Sequence, residues 1–166
     1  MKKSIRFSFS FLIVCFLLVF AGCTALSAPQ LEVLLNGLTK NLDLSVLEEL
    51  TIEANPGDLD ADKIAVLKQS PVNRVSLGVQ TFDDKMLKKI GRSHLEKDIY
   101  ENIDRLKLAG FDNISIDLIY ALPGQTMEQV KENVAKAIGL DIPHMSLYSL
   151  ILENHTVFMN RMRRGR

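Results

Sequence analysis

Val75-Ser-Leu-Gly-Val-Gln-Thr-Phe82 reads as an apolar β run that stops abruptly at a glycine, a glutamine and a turn. Two other runs stop in the same way. Leu50-Thr-Ile-Glu-Ala-Asn-Pro-Gly57 delivers Glu53 and Asn55, and Asn113-Ile-Ser-Ile-Asp-Leu-Ile-Tyr-Ala-Leu-Pro-Gly124 delivers Asp117. In a parallel α/β sheet or barrel the carboxyl ends of successive strands converge on one face, and ligands bind there. Three polar strand ends therefore predict a single small-molecule site.

Outward from these runs, helix and strand alternate. Ser27 stands three residues before Gln30 in a capping-box spacing, and Leu31, Leu34, Leu35 and Leu38 follow at helical intervals. A strand over Leu50–Ala54 closes at Asn55-Pro56-Gly57. Asp60 then caps a short helix with Ile64 and Leu67 inward, and Pro71 separates it from a strand over Val72–Val79. One helix runs from Asp84 to Ile90 and stops at Gly91. A second begins near Glu96, buries Ile99, Ile103 and Leu106, and ends at Gly110. After a strand over Ile114–Ile119, Thr126 and Gln129 form another capping box for a helix with the apolar stripe Met127, Val130, Val134 and Ile138, ended by Gly139. Met145–Leu152 is a fourth strand. This order predicts α/β architecture with a parallel sheet and right-handed crossovers.

The chain of 166 residues is long enough for one domain and short of the ~250 of a complete eight-unit barrel. Lys+Arg and Asp+Glu number 20 each, which leaves none of the basic surplus of a nucleic-acid binder. Arg161, Arg163, Arg164 and Arg166 read as a solvated tail. Cys15 and Cys23 are the two cysteines, and a C-x7-C pair in an apolar stretch fits no usual metal spacing. Residues 1–23 resemble a targeting signal: Lys2, Lys3 and Arg6 precede an apolar run from Phe9 to Ala21, and Phe20-Ala-Gly-Cys23 is similar to a bacterial lipoprotein processing box. The run is shorter than the ~20 residues of a spanning helix.

Each polar strand end has two readings. Glu53, on a strand expected to be buried on both faces, needs a cation. Either a lysine or arginine of the chain or the ammonium of a ligand would serve. Asp117 is placed to accept the hydroxyls of a ribose or to cap the following turn. Gln80 offers a donor and an acceptor on one amide. Arg92, after the helix-ending Gly91, presents a planar fork suited to a carboxylate or stands as surface decoration. His94, His144 and His155 fall into no triad or zinc spacing.

Together, Ile52-Glu-Ala-Asn-Pro-Gly57, Arg74 to Phe82, Gly91-Arg-Ser-His94, Ile116 to Thr126 and Pro143-His-Met-Ser-Leu-Tyr148 resemble the central part of the oxygen-independent coproporphyrinogen III oxidase family of radical SAM proteins. That family includes the haem chaperone HemW, to which Glu153-Asn-His-Thr-Val-Phe-Met-Asn160 is more similar. The resemblance covers about Ala25 to Arg166. It implies a partial parallel (β/α) barrel of about four βα units, with the first strands missing, and a [4Fe-4S] cluster that cleaves S-adenosylmethionine. It also implies roles: Glu53 meets the methionyl amino group, Gln80 and Arg92 make other S-adenosylmethionine contacts, Asp117 binds the ribose, and Ile151 lies near the adenosine.

Three features depart from the family. Its C-x3-C-x2-C cluster motif is absent, and Ala21-Gly-Cys-Thr24 stands where a glycine-rich strand end belongs. Ala121 replaces a glycine usual in the family. The expectation is therefore a signal-like segment, 1–23, joined to a partial radical SAM core, 24–166. Such a chain would be inactive as an oxidoreductase, cytoplasmic by resemblance, and would take a small-molecule cofactor with haem or porphyrin as a further ligand. Bare sheet edges would make it prone to aggregation. The alternatives are a haem-binding chaperone without oxidase activity, and a lipoprotein attached to the membrane through Cys23 with no redox role.

Overall fold

The computed structural model describes residues 25–45 and 47–151; the signal-like segment, its Cys15 and Cys23, His155 and the arginine-rich end lie outside them. Four parallel strands form one sheet in the order β1(Thr51–Ala54), β2(Arg74–Gln80), β3(Ile114–Tyr120) and β4(His144–Ser149). Helix α1(Ala28–Asn41) precedes β1, and α2(Ala61–Lys68) joins β1 to β2. The pair α3(Asp84–Lys89) and α4(Glu96–Leu108) joins β2 to β3, and α5(Met127–Gly139) joins β3 to β4. This is the α/β fold expected from the alternation, with consecutive strands adjacent in space.

The caps form where the sequence placed them. Gln30 accepts from the Ser27 N–H, the Asp60 carboxylate from the Lys63 N–H, and Gln129 from the Thr126 N–H. Helix α3 ends on Gly91, whose φ of +78° suits a residue without a Cβ. There the Gly91 N–H bonds Lys88 O and the Arg92 N–H bonds Leu87 O, the paired geometry of a Schellman end.

One face of the sheet carries the core. Ile52, Val75, Leu77, Ile114, Ile116 and Leu118 alternate toward Leu31 and Leu35 of α1, Ile64 and Leu67 of α2, and Ile99, Ile103 and Leu106 of α4, all buried in one cluster. The polar residues between them therefore occupy the opposite face.

Three expectations are corrected. The stripe of α5 is out of phase: Met127 and Ile138 are 69% and 70% exposed, while Asn133 and Ala137 are buried. The buried face follows from what α5 meets, because Asn133 reaches back to the turn after β2. Strand β4 covers His144–Ser149 instead of Met145–Leu152, and every residue of it but Ser146 is exposed, since among the described residues only β3 flanks it. Strand β2 also lies further along than expected, at Arg74–Gln80, because Asn73 serves as a bridge. Its side chain accepts from the Leu50 N–H and donates to Glu48 O, tying the entry of β2 to that of β1. Among the described residues no helix is long and apolar enough to cross a membrane.

Candidate functional site

Alternation puts Glu53, Ser76, Ser115 and Asp117 on the sheet face opposite the core. Glu53 pairs with Ser76 across β1 and β2, and Ser76 pairs with Ser115 across β2 and β3. The Ser76 hydroxyl donates to Asp117 Oδ2 at 3.3 Å. Ser76 thus stands between the two carboxylates. Ser76 and Ser115 on the central strands are buried, whereas Glu53 and Asp117 keep partial exposure. Glu53 itself is only partly buried and makes no ion pair with a described lysine or arginine, contrary to a strand buried on both faces. Its carboxylate remains available to a cation from outside.

At the carboxyl end of β2 the chain changes direction. The β2–β3 register slips between Leu77 and Gln80, so that β2 holds one residue more than its partner. Gln80 follows with φ +69° and is buried, yet its amide makes no hydrogen bond with a described residue. Gly78 makes room for it: a Cβ at Gly78 would lie 2.8 Å from Gln80 Nε2 and 3.4 Å from Asn55 Oδ1. The amides of Gln80 and Asn55 therefore lie over the same glycine.

Arg92 joins them from the end of α3. Its Nη1 donates to Asn55 Oδ1 at 2.7 Å, and Asn55 Nδ2 donates to Asp58 Oδ2 at 3.0 Å. The Schellman end fixes the Arg92 backbone, and Asn55 takes one prong of its fork. Arg92 and Gln80 are thus gathered through Asn55 and Gly78, and Glu53 and Asp117 through Ser76. Ile151 stands apart, two residues beyond β4 and 77% exposed.

The site includes residues to which sequence reasoning assigned no role. Asn55 appeared as a polar strand end without a partner of its own, Ser76 as a strand residue and His94 as a loop histidine. No spacing rule would find His94, because its burial depends on the turn after β2 and on Gly57, where a Cβ would come within 3.6 Å of the His94 Cβ.

The His94 ring faces Val79 O at 3.2 Å through Nε2, while Nδ1 has no partner. Since a carbonyl only accepts, the neutral ring carries its proton on Nε2. Burial holds its pKa below the ordinary 6.5; the Val79 carbonyl opposes that shift, Arg92 reinforces it, and Asp98 and Asp58 oppose it. The unfolded chain therefore takes up a proton that the folded chain refuses. The stability this group contributes is complete above 6.5 and is lost as pH falls from there toward the lowered folded value. Urea titrations at about pH 7.5 and about pH 5.5 check this: the loss of stability on acidification should be smaller in His94→Gln than in the parent.

The model of the Radical SAM superfamily matches residues 14–137. The chain therefore belongs to the radical SAM superfamily. Within it, the chain lies in the branch of HemW and the oxygen-independent coproporphyrinogen oxidases. The heme chaperone HemW of Lactococcus lactis subsp. lactis is 64% identical over 142 residues, which are 86% of this chain and 38% of that protein. HemW of Bacillus subtilis is 47% identical over 144 residues, again 86% of this chain and 38% of the relative. The solved coproporphyrinogen III oxidase HemN of Escherichia coli superposes with a TM-score of 0.71 at 26% identity, covering 85% of this chain and 32% of that one. The chain thus spans little more than a third of the length of the relatives it matches.

The superfamily implies S-adenosylmethionine and a [4Fe-4S] cluster. The cluster does not fit the residues present: this sequence holds two cysteines with seven residues between them, and three thiolates are needed to leave one iron open. The donor set present suits S-adenosylmethionine, because the unbonded Gln80 amide, the Arg92 fork held by Asn55 and the carboxylates of Glu53 and Asp117 match its polar groups.

Proposed function

We propose that Glu53, Gln80, Arg92 and Asp117 form the S-adenosylmethionine half-site of a HemW-like protein of haem and porphyrin metabolism. Glu53 takes the methionyl ammonium, Arg92 the carboxylate and Asp117 the ribose hydroxyls. Gln80 supplies a neutral donor and acceptor, and Ile151 an apolar contact beside the adenosine. The observation that carries this reading is the Gln80 amide, which makes no hydrogen bond with a described residue and lies over the same glycine as Asn55, the residue that holds the fork of Arg92. Its donor and acceptor are therefore free to meet a polar ligand. The two relatives above carry the name heme chaperone, which favours haem as the second ligand over an oxidase reaction. This reading puts the protein in the cytoplasm, in place of the lipoprotein attached through Cys23.

Equilibrium dialysis of the 166-residue chain with S-adenosylmethionine tests the rim: binding should be saturable and should disappear in Glu53→Gln combined with Asp117→Asn. Retention of full affinity in that double variant would remove the assignment. A haem titration followed at the Soret band tests the second ligand separately.

A further inference from the structure

Gln80 is held in a conformation that its own chemistry disfavours, and side chains from outside the rim do the holding. A φ of +69° is sparsely populated for a residue with a Cβ. The Thr81 N–H bonds Val79 O at 2.8 Å across it, closing a three-residue turn of the strained γ type. Such turns persist where the surroundings over-determine them. Here His94 Nε2 meets the same Val79 carbonyl at 3.2 Å, at the start of the turn. At its end Asn133 Oδ1 accepts the Phe82 N–H at 2.9 Å, and Asn133 Nδ2 donates to Thr81 Oγ1 at 3.0 Å. His94, Thr81 and Asn133 are all buried. A second residue of the same helix bonds just beyond the turn, from Gln129 Nε2 to Asp83 Oδ2 at 3.0 Å.

We propose that His94 and Asn133 are positioning residues: they clamp the Val79–Phe82 turn at its two ends and so present the Gln80 amide to the nucleoside rim. Neither side chain is assigned to the ligand. Gln80 makes no side-chain hydrogen bond that would aim its amide, so its direction is set by the backbone at residue 80 and by the glycine beneath it. Loss of either clamp lets φ relax to a negative value, which swings the amide off Gly78. The ligand in this inference rests on the reading of the rim given above, whereas the clamp does not.

Two measurements on the full 166-residue chain test the clamp and the rim separately. Amide exchange followed by NMR reads the turn without ligand. In His94→Leu the Thr81 N–H should exchange about tenfold faster or more, while His94→Gln, whose amide nitrogen reaches about as far as Nε2, should stay near the parent. Equilibrium dialysis with S-adenosylmethionine should show about a tenfold loss in His94→Leu, recovery in His94→Gln, and no further loss when His94→Leu is added to Gln80→Ala. Unchanged Thr81 exchange would overturn the clamp, and so would an affinity loss that persists undiminished in the Gln80→Ala background. Should His94→Leu not fold, His94→Asn, whose amide stops one bond short, replaces it; identical exchange in the Asn and Gln variants would overturn the proposal equally. Faster Thr81 exchange in a series whose parent binds no S-adenosylmethionine would uphold the clamp and sink the rim reading instead.

Discussion

Phe82→Ala should cost about 3–5 kcal/mol of folding stability, the loss typical of a large aromatic removed from a core. The ring is among the largest fully buried side chains and lies within the main cluster, its centroid 6.0 Å from that of Tyr100 on α4. Its backbone N–H is the one that Asn133 accepts. Truncation therefore opens a cavity under the turn that follows β2 and loosens the contact between that turn and α4. Set against a total of about 5–15 kcal/mol for an ordinary domain, this is a fifth or more of what holds the chain together. Urea unfolding followed by circular dichroism measures it. Leu108→Ala, at a side chain 87% exposed, is the control and should stay within about 0.5 kcal/mol of the parent. A Phe82→Ala loss no larger than the control would mean that the turn is not packed as described.

The difference between these two residues shows how far local sequence reasoning reaches. Helix ends with a capping residue or a glycine in register were legible because their causes are local: Asp60, Thr126 and Gly91 act within a turn of where they stand. The strands were legible as apolar runs, and the polar strand ends as interruptions of those runs. The phase of α5 was not, because Asn133 is buried by two bonds to a turn some fifty residues away. A polar residue on the inner face cannot be told from one on the outer face until its partner is known. Glu53 was misread for a related reason: burial on both faces holds for Ser76 and Ser115 on the central strands, whereas β1 stands at the edge of the described sheet. Ala121 shows the converse, a departure whose meaning became clear only in three dimensions. Its φ is +60°, the region that glycine enters freely, which gives a backbone reason for the glycine usual at that position in the resembled family.

Arg92→Met should weaken S-adenosylmethionine binding about 10–100-fold, the equivalent of one charge-assisted hydrogen bond worth about 1.5–3 kcal/mol. Methionine keeps an apolar stem of similar length and removes only the fork. In the parent one prong is already committed, since Nη1 donates to Asn55 Oδ1 at 2.7 Å, and that bond aims the remaining donors of the guanidinium. Arg92→Lys should recover little, because an ammonium cannot bond Asn55 and a ligand carboxylate in the fixed planar geometry of the fork. The sharper comparison changes the ligand. 5′-Methylthioadenosine keeps the nucleoside and the methylated sulfur of S-adenosylmethionine, as a neutral thioether in place of the sulfonium, but has neither its carboxylate nor its ammonium. Its affinity should be unaffected by Arg92→Met or Glu53→Gln and should fall in Asp117→Asn, whose partner is the ribose. S-adenosylmethionine should respond to all three. Side chains that merely hold the sheet together would shift both ligands in parallel; a pattern that follows the chemical group removed from the ligand requires that Arg92, Glu53 and Asp117 each address a different part of one molecule.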